Sequence, residues 1–320
     1  MSVEIVHKTA EVATSAAVDA CWRQWRVLGF PASVTPDHEP TSIIDPEALV
    51  LLSAQVAPHE RRLEDALAWW AGTGSTLLSA QRTSSLLRAF PPTTREAFGS
   101  FTRAAYDAGD RRWKRYVGDG SLAEGRRSKG PDAPALSPPP ALMLRLRAGF
   151  GVGVKTDLLT YLLGRGSHAA TIKDASVATW YTSPALRTAA AEMALAIFVR
   201  PIGDRPVHYV TDSAQWAVLF DDAAAATAAV KHTNGAVPVW HDWSHLFAFL
   251  AHVTAWGDHA GGSTPYVLSS RARDLVLPRL PVFAANRIDV PDPKNFKGEA
   301  YLEGLNATVK SVANWLTVHL

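Results

Sequence analysis

The 320-residue chain has one cysteine, Cys21, and three methionines. A single thiol excludes an intramolecular disulfide framework and a zinc site built from several cysteines. No apolar run reaches the roughly 20 residues that cross a bilayer, so no membrane partner is expected. The opening stretch MSVEIVHKTAEVATS carries a glutamate at once and no apolar core behind a basic start. It does not read as a secretory signal, and a cytoplasmic location is the expectation. Net charge is also small, +2 from 32 Lys+Arg and 30 Asp+Glu, and names no partner by itself. What is plentiful is hydrophobic residue, at 47% against 19% charged. That balance excludes a disordered or fibrous chain and suits two or three domains of ordinary size.

The charges are unevenly spread. Between Arg103 and Gly130 eight Lys/Arg (Arg103, Arg111, Arg112, Lys114, Arg115, Arg126, Arg127, Lys129) stand against four acids, whereas Pro31–Trp69 holds seven acids against Arg61 and Arg62. Such asymmetry hints at a side facing a polyanion; a solvated loop of mixed charge explains it equally.

Gly, Pro and Ser crowd the stretch GDGSLAEGRRSKGPDAPALSPPP, which has no apolar periodicity and reads as a linker or exposed loop. The expected organisation is a helical N-terminal domain (1–116), this basic linker (117–140), a third unit (141–216) and a helical C-terminal region (217–320). In the first part Asp45-Pro46-Glu47 opens a helix, with Asp as N-cap, Pro in the first turn and an acid at the positive dipole end. Leu63, Ala66, Leu67 and Trp70 form one apolar face. Ser79 caps the next helix, and a further one covers Thr94–Tyr106.

The third unit carries the chemistry. Lys155–Arg165 reads as a short helix with Leu158, Leu159, Leu162 and Leu163 on one side. Gly164–Ala170 reads as a turn and Thr171–Thr179 as a second helix, with Ile172, Ala175 and Val177 inward. Trp180-Tyr181-Thr182-Ser183 is a tight connector, and Pro184 begins a third helix whose Leu186, Ala190, Met193 and Ile197 recur as one buried stripe. Val199–Ile202 and Val207–Thr211 read as strands flanking the turn Gly203-Asp204-Arg205-Pro206. Three helices followed by a β-hairpin is the winged helix-turn-helix plan. The segment LLTYLLGRGSHAATIKDASVATWYTSPALRTAAAEMALAIFVRPIGDRPVHYVTD resembles bacterial winged-helix transcriptional regulators of the MarR and ArsR type. The fold class this implies is mainly α, with helical regions either side of a central winged helix-turn-helix and its small β-hairpin wing.

The resemblance implies that the third helix enters the major groove of double-stranded DNA while the wing meets phosphate or minor groove. Position by position it points to Ser183, Arg187, Thr188 and Ala191 in the groove, and to Arg205 and Arg200 on the wing. Arg187 can pair with guanine O6 and N7, and the hydroxyls can read base edges or phosphates. Lys155 and Lys173 can reach the backbone. Pro139–Trp216 carries eight basic and five acidic residues. Trp180 stands where such a turn usually has a small residue. The earlier stretch LEDALAWWAGTGSTLLSAQRTSSLLRAF is similar to N-terminal modules of AbiEi-type antitoxin regulators, and a pair of core helices explains it as well.

Other constellations in the sequence carry less. His241-Asp242-Trp243-Ser244-His245 approaches the HExxH pattern of zinc hydrolases, with His252 and His259 at further spacings of seven. The short Asp and the absence of an obvious acidic third ligand argue against a metal site. GFGVGVKT (149–156) lacks the Gly-Lys junction of a phosphate-binding loop. There is no G-x-S-x-G elbow, and Cys21 reads as a buried thiol. Paired tryptophans such as Trp69 and Trp70 read as core. Leu302, Leu305, Val309, Val312 and Leu316 repeat at heptad spacing and can face either a second copy or the Trp240–Trp256 helix. The expectation is a non-enzymatic DNA-binding regulator acting as a homodimer, without cofactor, open to a small-molecule effector or protein partner. The alternatives are an antitoxin-like protein-interaction module and, behind it, a His-ligated metal hydrolase.

Overall fold

The structure, a computed structural model, describes residues 2–32, 40–118, 130–219 and 237–320. Within them lie thirteen α-helices and one small antiparallel sheet. No described helix is long and apolar enough to cross a membrane.

The larger core is built around two helices that are buried nearly all round. In α2 (Pro46–Val56) every residue is buried, and its start is fixed by the Asp45 carboxylate accepting from the Ala48 N–H. In α10 (Trp243–Asp258) apolar residues likewise face every direction, as befits a helix in the middle of a core. Around them pack α1 (Ser2–Val27), α3 (Arg62–Thr73), α5 (Pro92–Asp107), α11 (Pro265–Val276) and α13 (Glu299–His319), with α4 (Ala80–Leu86) and α12 (Leu280–Ala285) as short pieces between. The alanines of α1 give it a smooth face, and α10 approaches so closely that a Cβ on Gly257 would lie 2.2 Å from the Ala10 Cβ. Trp25, Trp69 and Trp70 fill the space between α1 and α3, their rings 5.5 to 6.3 Å apart. Residues from both ends of the sequence therefore share one core.

The heptad residues Leu302, Leu305, Val309, Val312 and Leu316 are all buried on α13, covered chiefly by α1 and α11. This seam is spent inside its own chain and is not available to a second copy. The described part of the Gly/Pro/Ser-rich stretch, 130–140, is tied to the helical core: Trp69 Nε1 donates to the Pro131 carbonyl at 2.7 Å and the Ala135 N–H to the Leu28 carbonyl at 2.9 Å. Arg126, Arg127 and Lys129 lie outside the described residues.

A second, smaller core gathers α6 (Leu142–Phe150), α7 (Val154–Gly164), β1 (Ala170–Thr171), α8 (Ile172–Thr179), α9 (Ser183–Leu195), β2 (Arg200–Ile202) and β3 (His208–Val210). The sheet order is β1-β3-β2, with Ala170 and Pro201 both opposite Tyr209. Leu158, Leu159, Leu162, Leu163, Ala175, Leu186, Ala190 and Met193 are buried here as the periodicity predicts. Three residues depart from it. Val177 is half exposed on the outer face of α8. Ala170, placed in a turn, pairs as a strand; two residues are too few to show an alternation. Ile197 lies beyond the end of α9 with φ +64° and its side chain in solvent. Ile43 and Trp240 complete this core from outside it, next to a parallel bridge between Ser42 and Val239.

Candidate nucleic-acid interface

The α8–turn–α9 unit is set by local chemistry. Thr171 caps α8, its hydroxyl accepting from the Asp174 N–H while the Asp174 carboxylate accepts from the Thr171 N–H, a reciprocal capping box. α8 ends at Trp180 in the left-handed conformation, φ 62°. Left-handed backbone suits glycine or asparagine and is costly for a tryptophan. The indole repays its strain with tertiary contacts: Nε1 donates to Ser244 Oγ at 2.8 Å and the ring lies 4.8 Å from that of His245.

From this turn α9 projects with Leu186, Ala189, Ala190 and Met193 inward. Its exposed stripe is Pro184, Arg187, Thr188, Ala191, Glu192 and Leu195, one face of the helix at 3–4 residue spacing. The N-cap Thr182 makes no side-chain cap bond, which leaves first-turn N–H groups without a side-chain acceptor at the positive end of the dipole. Ser183 is half-buried beside them. The β2–β3 hairpin springs from the other end of α9, where the Val199 N–H donates to the Met193 carbonyl and the Thr211 hydroxyl to the Phe198 carbonyl.

Lys173, Arg187, Thr188, Arg200 and Arg205 are all exposed. Among the described residues none of these four cations forms an ion pair. Lys155 differs: its Nζ lies 2.6 Å from Glu192 Oε2, so its charge is partly spent on α9 itself.

Behind α8 and α9 lies a feature the sequence reading missed. Asp45, the N-cap of α2, Glu47 in its first turn, Arg82 of α4, Arg147 of α6 and Asp157 of α7 form one fully buried ionic cluster. Arg147 grips Asp157 at 2.8 and 2.7 Å and Glu47 at 2.6 and 3.2 Å, and donates to the Leu77 carbonyl at 2.9 Å. Arg82 binds Asp45 at 2.6 and 2.5 Å, Glu47, and the Thr179 carbonyl at the end of α8 at 3.0 Å. The Tyr181 hydroxyl donates to Asp157 at 2.9 Å and sits 3.1 Å from Ser79 Oγ. Burial alone would raise the Glu47 carboxyl, but the Arg147 and Arg82 charges outweigh it and hold it below its ordinary value. Burial and then the Asp157 charge push the Tyr181 hydroxyl far up, which keeps it a donor. The cluster joins the two cores and fixes the turn that aims α9.

The histidine motif does not converge. His241 precedes α10 and packs on Trp243, Trp315 and His319. His245 turns instead to Trp180 and the Val177 carbonyl, 3.3 Å away. Among the described residues no three His, Cys, Asp or Glu side chains are grouped to hold a metal ion. Cys21 is buried, and burial pushes its thiol up to about 12. Compared with known proteins, the chain matches no protein-family profile, no curated protein and no solved structure.

Proposed function

We propose that this protein binds double-stranded DNA through its smaller unit and acts as a transcriptional regulator, the unit serving as a winged helix-turn-helix. The observation that carries the proposal is the open stripe of α9, adjoined by a hairpin, with Lys173, Arg187, Arg200 and Arg205 exposed and free of ion pairs among the described residues. α9 enters the major groove, where Arg187 reads guanine and the small side chains Thr188 and Ala191 permit close approach. The first-turn N–H groups beside Ser183 meet a phosphate, and Lys173, Arg200 and Arg205 neutralise others. Lys155 contributes less, because binding must compete with Glu192.

Replacement of Arg187 tests the reading. Arg187→Ala should lose on the order of 1–3 kcal/mol at a cognate site and little on random duplex. Equal losses on both would show that Arg187 does not read bases. The alternative, a protein-contacting unit, is favoured by the alanine-rich α9 and by the apolar surface at its far end.

A further inference from the structure

That apolar surface is the most exposed one on the smaller unit. Leu195 is 87% exposed, Ile197 78%, Phe150 63% and Phe198 46%. Trp216 ties the cluster together, its ring 6.1 Å from that of Phe150 and 5.4 Å from that of Phe198. Phe150 at the end of α6, Phe198 in the α9–β2 turn and Trp216 in the helical turn after β3 thus meet, and Leu195 and Ile197 adjoin Phe198 in the chain. Taking about 200 Å² for each large side chain, the four exposures amount to roughly 550 Å². This is at the upper end of the roughly 300–600 Å² that monomers leave uncovered.

Ile197 adds a second cost. A β-branched residue at φ +64° is a genuine outlier, and strain of this kind persists where a site uses it. Glycine or asparagine would suit the backbone better, and neither would cover apolar surface. The chain keeps a strained isoleucine in solvent at the tip of the patch.

From these observations we infer that the patch of Phe150, Leu195, Ile197, Phe198 and Trp216 is where two copies of this chain meet. The area is about two thirds of the roughly 800 Å² each partner supplies to a standard interface, and the rim can supply the rest. Charge favours a like partner. Among the described residues the exposed ionisable side chains nearest to it in the chain are Lys155 with Glu192, Arg200 and Asp212. Positive and negative are equal in number among them, so a twofold, self-complementary contact brings no net repulsion. The placement also suits the proposed function, on which this part of the argument rests. α9 has 13 residues, about 20 Å at 1.5 Å each, and the patch sits at its far end from Ser183. Two such helices meeting end to end set their reading ends up to about 40 Å apart, comparable with the roughly 34 Å between successive major-groove faces.

The test is the solution mass of the full-length chain without DNA, by sedimentation equilibrium, beside the double variant Leu195→Lys/Ile197→Gly. Leu195 is solvent-exposed and glycine relieves the left-handed position, so the variant should fold, with the far-UV circular dichroism of the parent. The parent should be a dimer at micromolar concentration, and the variant's dimer dissociation constant should rise at least 100-fold. A monomeric parent at 50 μM, or an unweakened variant dimer, overturns the proposal. A duplex carrying one half-site then separates the two claims. If the parent is dimeric, the variant monomeric and neither binds DNA, the dimer surface stands and the DNA reading falls.

Discussion

Arg147→Met is the most demanding perturbation of the architecture. The substitution keeps an unbranched side chain of similar reach in α6 and removes the cation between Glu47 and Asp157. In the parent the guanidinium makes two bonds to each carboxylate and one to the Leu77 carbonyl, all fully buried. After the change Glu47 keeps Arg82, while Asp157 keeps only the Tyr181 hydroxyl among these partners. Removing one partner of a buried ion pair costs roughly 3–5 kcal/mol, because the remaining charge stays in a low-dielectric interior. Urea denaturation followed by tryptophan fluorescence should show that loss at pH 7. A second variant, Arg147→Met/Asp157→Asn, should recover part of the stability at pH 7. A loss below about 1 kcal/mol, or no recovery in the double variant, would refute a charged buried cluster as the junction between the two cores.

Two further predictions use other buried groups. Burial, with a contribution from the His319 charge at His241 and from Arg279 at His252, lowers both rings to about 4 from an ordinary 6.5. The unfolded chain therefore takes up protons that the fold refuses, and stability should fall as pH drops from about 6.5 towards 4. The shift corresponds to roughly 3 kcal/mol per ring at about 1.4 kcal/mol per pH unit, or about 1–2 once partial solvent access is allowed for; flat stability over that window in pH-dependent denaturation would contradict it. Cys21, buried with its thiol pushed up to about 12, should resist a thiol-specific disulfide reagent at pH 8 for hours and react fully in denaturant; rapid native labelling would show that α1 opens.

The smaller unit was largely legible in the sequence because its signals are local. Helical spacing gave the buried face of α9, Pro184 placed its start, and the Gly-Asp-Arg-Pro turn placed the hairpin; α7, read as apolar on one side, is instead buried all round from Thr156 to Gly164. What escaped depends on distant parts of the chain. Glu47 has the sequence position of an ordinary first-turn acid, yet it is buried against arginines 35 and 100 residues away. The one local clue was Arg147 in the apolar run LMLRLRAG, where a cation on a buried face requires a partner. Ile197 continued the spacing of Leu186, Ala190 and Met193, but spacing cannot show that α9 has already ended at Leu195. The α13 heptad has the same limit: periodicity identifies an apolar stripe, and only the packing of α1 and α11 shows what covers it.

The smaller unit is proposed to hold duplex DNA through its exposed cations. Fluorescence anisotropy of the full-length protein should be measured with duplex from its own upstream region and with scrambled duplex, at 50 and 200 mM salt. If Lys173, Arg200 and Arg205 each displace one counterion, affinity should fall with a log–log slope of about −2.7 per copy, roughly 40-fold over that range. The upstream sequence should bind more tightly at both salts. No binding to either duplex at 50 mM salt would contradict the account.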